Sequence, residues 1–251
     1  MTLRETVEQL SRAQKPSAGT PAYSRFVNRR IGRVFAAAAF LGRRTPNQVS
    51  LASGFCSLVG IVLIATVRPS LGLAVAVTVL LVLGYGLDSA DGQLARLRGG
   101  GSPLGEWLDH MIDAIKIVLL HSAVLISFYR FDAFSNESVL LIPLAYVCMS
   151  SVLFFGLILI DQLRRRNGGA AKPNQRGDSV AKSLLIAPTD YGVLCLAFLA
   201  FGTPSLFVVL YGALLALNLV FLAGAVAKWY LSLIHISSPR DGLLSRMPSS
   251  A

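Results

Sequence analysis

Six apolar runs of nearly membrane-spanning length leave this chain few ways to fold. They can be placed at 48–67, 71–96, 105–129, 138–160, 183–202 and 205–234, and crossing the hydrocarbon core takes ~20 helical residues. Inside a bilayer every backbone N–H and C=O must be satisfied within the protein, which consecutive runs of this kind achieve as helices. The runs predict an all-α membrane protein with six transmembrane helices. Composition agrees: 54% of the 251 residues are hydrophobic and only 14% are charged, against about 25% charged in an ordinary soluble domain.

The net charge of +10 does not point to nucleic acid, because basic residues beside spans set topology and meet anionic headgroups of the lipid bilayer. Arg25, Arg29, Arg30, Arg33, Arg43 and Arg44 precede the first run, Arg96 and Arg98 follow the second, and Arg164, Arg165, Arg166, Lys172, Arg176 and Lys182 follow the fourth. Alternate loops hold little more than Arg68 and Arg130. By the positive-inside rule, both termini and the 97–104 loop face the cytoplasm in a multi-pass protein of the cell membrane.

Upstream of the spans, residues 1–18 read as a polar tail, lacking the apolar stretch of a secretory signal. Residues 19–44 predict an amphipathic juxtamembrane helix. Tyr23, Phe26, Val27, Ile31 and Val34 recur at helical spacing while Arg25, Arg29 and Arg33 line another face. The membrane domain then covers 45–231. From Ser232 the sequence changes character and resembles translated adapter read-through, so 232–251 is expected to be a non-native tail outside the functional unit. Cys56, Cys148 and Cys195 lie in apolar runs without paired spacing and read as small core residues.

Against this background the acids stand out. Asp88 and Asp91 are spaced i, i+3, and Asp109 and Asp113 i, i+4, so each pair shares one helix face. Around an antiparallel turn at Gly99, Gly100 and Gly101, Asp91 falls level with Asp109 and Asp88 with Asp113. The outer pair then lies roughly 12–18 Å along the helices from the turn, close to the cytoplasmic boundary. Four ionised carboxylates share a low-dielectric cavity only if cations neutralise them. An all-oxygen donor set suits Mg²⁺ or Mn²⁺, which also bridge phosphate oxygens. Zinc fits less well, because His110 is the lone histidine nearby. Gly92, Ala95 and Gly105 remove bulk where a ligand approaches, or simply let helices pack closely. Arg96 adds a cation suited to a diphosphate.

Together these residues resemble the signature of the CDP-alcohol phosphotransferase family, D-x2-D-G-x2-A-R-x8-G-x3-D-x3-D. Asp88, Asp91, Gly92, Ala95, Arg96, Gly105, Asp109 and Asp113 fill all eight fixed positions; at residue usages of roughly 5–10%, chance agreement at one start is on the order of 10⁻⁹. The segment Thr45 to Ser50, "TPNQVS", is also similar to the family's lead into the first span. The resemblance implies transfer of a substituted phosphate from a CDP-linked donor, above all CDP-diacylglycerol, to an alcohol acceptor, with release of CMP, in phospholipid biosynthesis. It implies two metal ions held by Asp88, Asp91 and Asp109, with Asp113 as the base that also lies close to a metal. It places Asp88, Gly92, Ala95, Arg96 and Gly105 around the cytidine nucleotide.

The acceptor is less constrained. Lys116, Arg164, Arg165, Arg166, Arg176 and Lys182 are candidates to hold a phosphorylated polyol such as inositol phosphate or glycerol phosphate, although topology alone accounts for the arginine-rich loop. Lys116 can equally pair with the acids. Asp190 either caps the fifth span after Pro188 or faces the cavity. Association as a homodimer stays open. Two other functions compete: a transporter using the acids as a cation site, and a silent scaffold. A transporter places its acids at the midplane, whereas these lie near one face.

Overall fold

The computed structural model describes residues 2–12, 14, 19–166 and 179–236, and every regular element among them is helical. In chain order these are α1 (Leu3–Arg12), α2 (Arg29–Leu41), α3 (Pro46–Thr66), α4 (Leu71–Leu97), α5 (Pro103–Arg130), α6 (Leu141–Arg166), α7 (Val180–Leu185), α8 (Tyr191–Ala197) and α9 (Pro204–Ile236). Local chemistry sets the starts of the long helices. Thr45 and Gln48 form a reciprocal capping box ahead of α3, with Pro46 at its first position. Ser70 accepts from Leu73 N to begin α4, and Ser102 accepts from Gly105 N to begin α5.

Five helices are long and apolar enough to cross a membrane: Pro46–Thr66, Leu71–Leu97, Pro103–Arg130, Glu137–Arg166 and Pro204–Ile234. The run expected as the fifth of six spans is made in pieces. Tyr191–Ala200 is a shorter apolar helix, separated from α7 by a 3₁₀ turn over Ala187–Thr189. Pro188 supplies no N–H to a continuing helix, and Asp190 restarts it by accepting from Gly192 N at 3.0 Å. Arg25 Nη1 donates to Ser183 Oγ at 3.2 Å, and a Cβ on Gly202 would stand 2.6 Å from Leu71 N, so the broken run is packed against the bundle near both of its ends. Among the described residues five helices reach spanning length where the sequence predicts six. The sequence residues from 237 onward lie outside the described part, whereas α9 continues through Ile236.

Small residues decide how closely the helices approach. Ser53 Oγ donates to Gly84 O at 2.8 Å, and a Cβ on Gly84 would fall 2.3 Å from Ser57 Oγ, so α3 and α4 meet almost backbone to backbone. The main apolar core joins Ile64, Val77, Leu81, Val124, Phe198, Phe207 and Tyr211. It fills the end of the bundle away from the acids. The acid end has a smaller cluster, where Ala36, Ala37, Val49, Ala90 and Leu94 receive Leu10 from α1.

Two segments differ in detail from the sequence reading. The polar residues 1–18 contain the amphipathic α1, fastened through Leu10 and through Gln14 Nε2, which donates to Gln93 Oε1 at 2.7 Å. The juxtamembrane segment is helical, with a π-helical turn over Ser24–Asn28 running into α2. Its protein-facing side carries Asn28, Gly32, Ala36 and Ala37, while Phe26, Val27 and Val34 are exposed. Small residues let α2 lie tightly on α4, leaving larger apolar side chains outward, where a bilayer surface would cover them. The cysteines are free, but only Cys195 is a core residue; Cys56 is half-buried and Cys148 is exposed on α6.

Candidate active site

The turn from α4 to α5 positions the acids. Gly99 and Gly100 have φ of +95° and +132°, backbone that a side chain would strain, and Ser102 then caps α5. The reversal sets the two acid-bearing faces against each other. Asp88, Asp109 and Asp113 each present a carboxylate oxygen, and the three atoms lie within 4.8 Å of one another. The expected pairing of Asp88 with Asp113 takes a specific form: Lys116 Nζ lies 2.9 Å from Asp88 Oδ1 and 2.7 Å from Asp113 Oδ1.

Asp91 turns instead toward α3. It is buried, and its Oδ2 accepts from Ser50 Oγ at 2.5 Å. Nonetheless it lines the same cavity of about 1180 Å³ as Gly92, Ala95, Arg96, Gly105, Asp109 and Asp113. All the signature residues except Asp88 thus border one chamber, and Asp88 adjoins it through the acid triad. The Gly92 position is open, since a Cβ there would meet only Arg96 Nη1, at 3.5 Å. Arg96 lines the chamber, and its Nε is buried without a hydrogen-bond partner among the described residues, an unmet donor of the kind that calls for explanation.

The donor set is suited to a hard divalent cation. Three carboxylates converge, and among the described residues the converging ligand atoms are all oxygens. His110 lies beside the cavity, with Nε2 4.0 Å from Glu106 and its ring edge-on to Phe154, outside the acid triad.

The basic candidates separate. Arg165 lines the cavity, with Nη1 3.2 Å from Glu106 and Nη2 2.7 Å from Asp161. Arg164 is half-buried, Arg166 and Lys182 are exposed, and none of these three borders the cavity. Arg176 lies outside the described residues.

Asp190 caps α8 as one reading of the sequence expected, and it also gathers distant parts of the chain. It accepts from Ser24 N at 2.7 Å, from Ser24 Oγ at 3.1 Å and from Tyr85 Oη at 3.2 Å. The Tyr23 phenol beside it is raised above its ordinary pKa by burial, with nearby negative charge adding to the effect, so it stays protonated at neutral pH. Ser50 and Tyr85 were not found by sequence reasoning. Ser50 closes the "TPNQVS" segment, but no spacing rule ties a serine in one span to an acid in another.

An all-helical membrane bundle with this acid chamber is the architecture of a transferase acting on CDP-linked alcohols. The chain belongs to the CDP-alcohol phosphatidyltransferase family, whose model matches residues 43–233. Among solved structures it is similar to Mycobacterium tuberculosis phosphatidylinositol phosphate synthase (PgsA1) with CDP-DAG bound, at 19% identity and a TM-score of 0.50, covering 81% of this chain and 94% of that one. The same enzyme in complex with manganese and citrate aligns at 20% identity and a TM-score of 0.51, covering 78% and 87%. No curated protein matches the chain significantly. Family membership decides against the transporter and scaffold alternatives.

Proposed function

We propose that this protein transfers the phosphatidyl group of CDP-diacylglycerol to a phosphorylated polyol, such as inositol phosphate or glycerol phosphate, and releases CMP at the cytoplasmic face of the cell membrane. The observation carrying this reading is one chamber lined by Asp91, Asp109 and Asp113 together with Arg96 and Arg165. The similar fold of a synthase with CDP-DAG bound supports the donor, and Arg165 among the lining residues favours an acceptor that itself carries phosphate.

In this reading Asp88, Asp91, Asp109 and Asp113 would hold divalent cations, two ions of Mg²⁺ or Mn²⁺. Bound cations would offset charge on the diphosphate and on departing CMP. The chain's own residues do the rest. Arg96 offers its guanidinium to a donor phosphate, while Gly92, Ala95 and Gly105 leave room for the cytidine nucleotide. Asp113 accepts the proton of the acceptor hydroxyl as its oxygen bonds to the phosphatidyl phosphorus. The phosphorus–oxygen bond to CMP breaks, and its electron pair leaves with CMP. Arg165, which lines the chamber, supplies the cation for an acceptor phosphate.

Mass spectrometry of products formed from CDP-diacylglycerol and a panel of inositol phosphate, glycerol phosphate, inositol and serine tests the acceptor. Products from a phosphorylated polyol are expected. Preference for an uncharged alcohol would overturn this choice and leave the donor reading intact.

A further inference from the structure

Lys116 is a costly residue in its position. Its side chain is 7% exposed inside a helix long and apolar enough to cross a membrane, where a buried charge persists only if paired. Its Nζ contacts Oδ1 of Asp88 on α4 and Oδ1 of Asp113 on its own helix. One ammonium thus joins the two helices at the carboxylates that, with Asp109, converge closely enough to grip a cation. An ammonium at 2.7–2.9 Å and a divalent ion compete for the same negative charge and repel each other. Lysine suits such a place better than arginine, because a compact charge on a flexible stem can withdraw, whereas a planar fork is held by paired hydrogen bonds.

We propose that Lys116 is an internal counter-ion of the acid triad: its ammonium holds Asp88 and Asp113 together in the metal-free chain and yields to the divalent ion on loading. The inference rests on the reading of the triad as a metal site. It makes Lys116 a positioning residue that sets how tightly metal binds, in place of an acceptor contact. The device keeps the acids apposed before metal arrives, at the expense of metal affinity.

Mn²⁺ binding to the purified full chain without donor, followed by the electron paramagnetic resonance of free Mn²⁺, reads this directly. Lys116→Gln and Lys116→Met should bind Mn²⁺ roughly tenfold or more tightly than wild type, because a unit positive charge a few ångströms from the ion is removed. Lys116→Arg, which keeps the charge on a fork less able to withdraw, should bind Mn²⁺ no more tightly than wild type. In chelator the two neutral variants should melt below wild type, and saturating Mn²⁺ should raise their melting temperature more than that of wild type. Neutral variants that bind Mn²⁺ no more tightly, or that melt like wild type in chelator, overturn the counter-ion role alone. Absence of Mn²⁺ binding in wild type and every variant overturns the metal reading with it.

Discussion

Ser50 Oγ donates to Asp91 Oδ2 at 2.5 Å, linking α3 to the second acid of α4. Both residues are buried, so the bond fixes which way the carboxylate faces and satisfies one of its oxygens away from water. Ser50→Ala removes the donor and leaves that oxygen unmet. A lost hydrogen bond to a charged group is worth ~1.5–3 kcal/mol. CMP release at limiting donor should therefore fall roughly ten- to a hundredfold while the protein stays folded by circular dichroism. Unchanged turnover would remove Asp91 orientation from the requirements of the reaction.

Metal removal should stop the reaction altogether. Three convergent carboxylates repel a diphosphate, and Arg96 in the same chamber can hold one only when the acids are neutralised. Chelation is expected to abolish CDP-diacylglycerol-dependent CMP release, and either Mg²⁺ or Mn²⁺ to restore it. Full activity in rigorously stripped protein would contradict the metal assignment.

Asp113→Asn separates proton transfer from binding. The amide preserves volume but has little basicity. Donor affinity across a Mg²⁺ titration should stay near wild type while transfer drops roughly 10²–10⁴-fold. Asp91→Asn and Asp109→Asn should weaken metal-dependent donor binding as well. If Asp113→Asn demands as much additional metal as those two, Asp113 is a ligand first and the base lies elsewhere.

The acid chamber was legible in the sequence because helical spacing and a glycine turn are local rules. Asp88, Asp91, Asp109 and Asp113 are placed by i, i+3 and i, i+4 periodicity, and Gly99 and Gly100 by the backbone they allow. What escaped depends on contacts between distant segments. On α2, Ile31 and Phe35 pack beside the small residues because Gly86 on α4 leaves space for them, and nothing within 19–44 announces that. Likewise Pro188 signals a break, yet only the fold shows Asp190 taking hydrogen bonds from Ser24 and Tyr85 there. Among the basic candidates, proximity in sequence to a span said little about which side chain reaches the cavity: Arg165 does, and its neighbours do not.

Gly192 offers a test of that broken run. A Cβ there would stand 2.0 Å from the Tyr23 ring, so Gly192→Ala must push apart α8 and the segment before α2. Overpacking of this kind typically costs ~1–3 kcal/mol. A lower melting temperature is expected, with Gly224→Ala as the neutral control, since no atom lies within 4 Å of a Cβ at that position. Equal melting of the two variants would show that the Tyr23 packing is readily rearranged.

Asp88, Asp113 and the lysine between them belong to one helical hairpin, with 28 residues separating Lys116 from Asp88. This bears on biogenesis. An aspartate or lysine at the centre of an inserting helix costs ~2.5–3.5 kcal/mol on the translocon scale, and carboxylates awaiting a partner from a later span would meet the bilayer uncompensated. Here the partner is translated within the same hairpin, so the charges can neutralise one another as α4 and α5 enter together. The Asp88–Lys116–Asp113 contact can thus form without waiting for the last span.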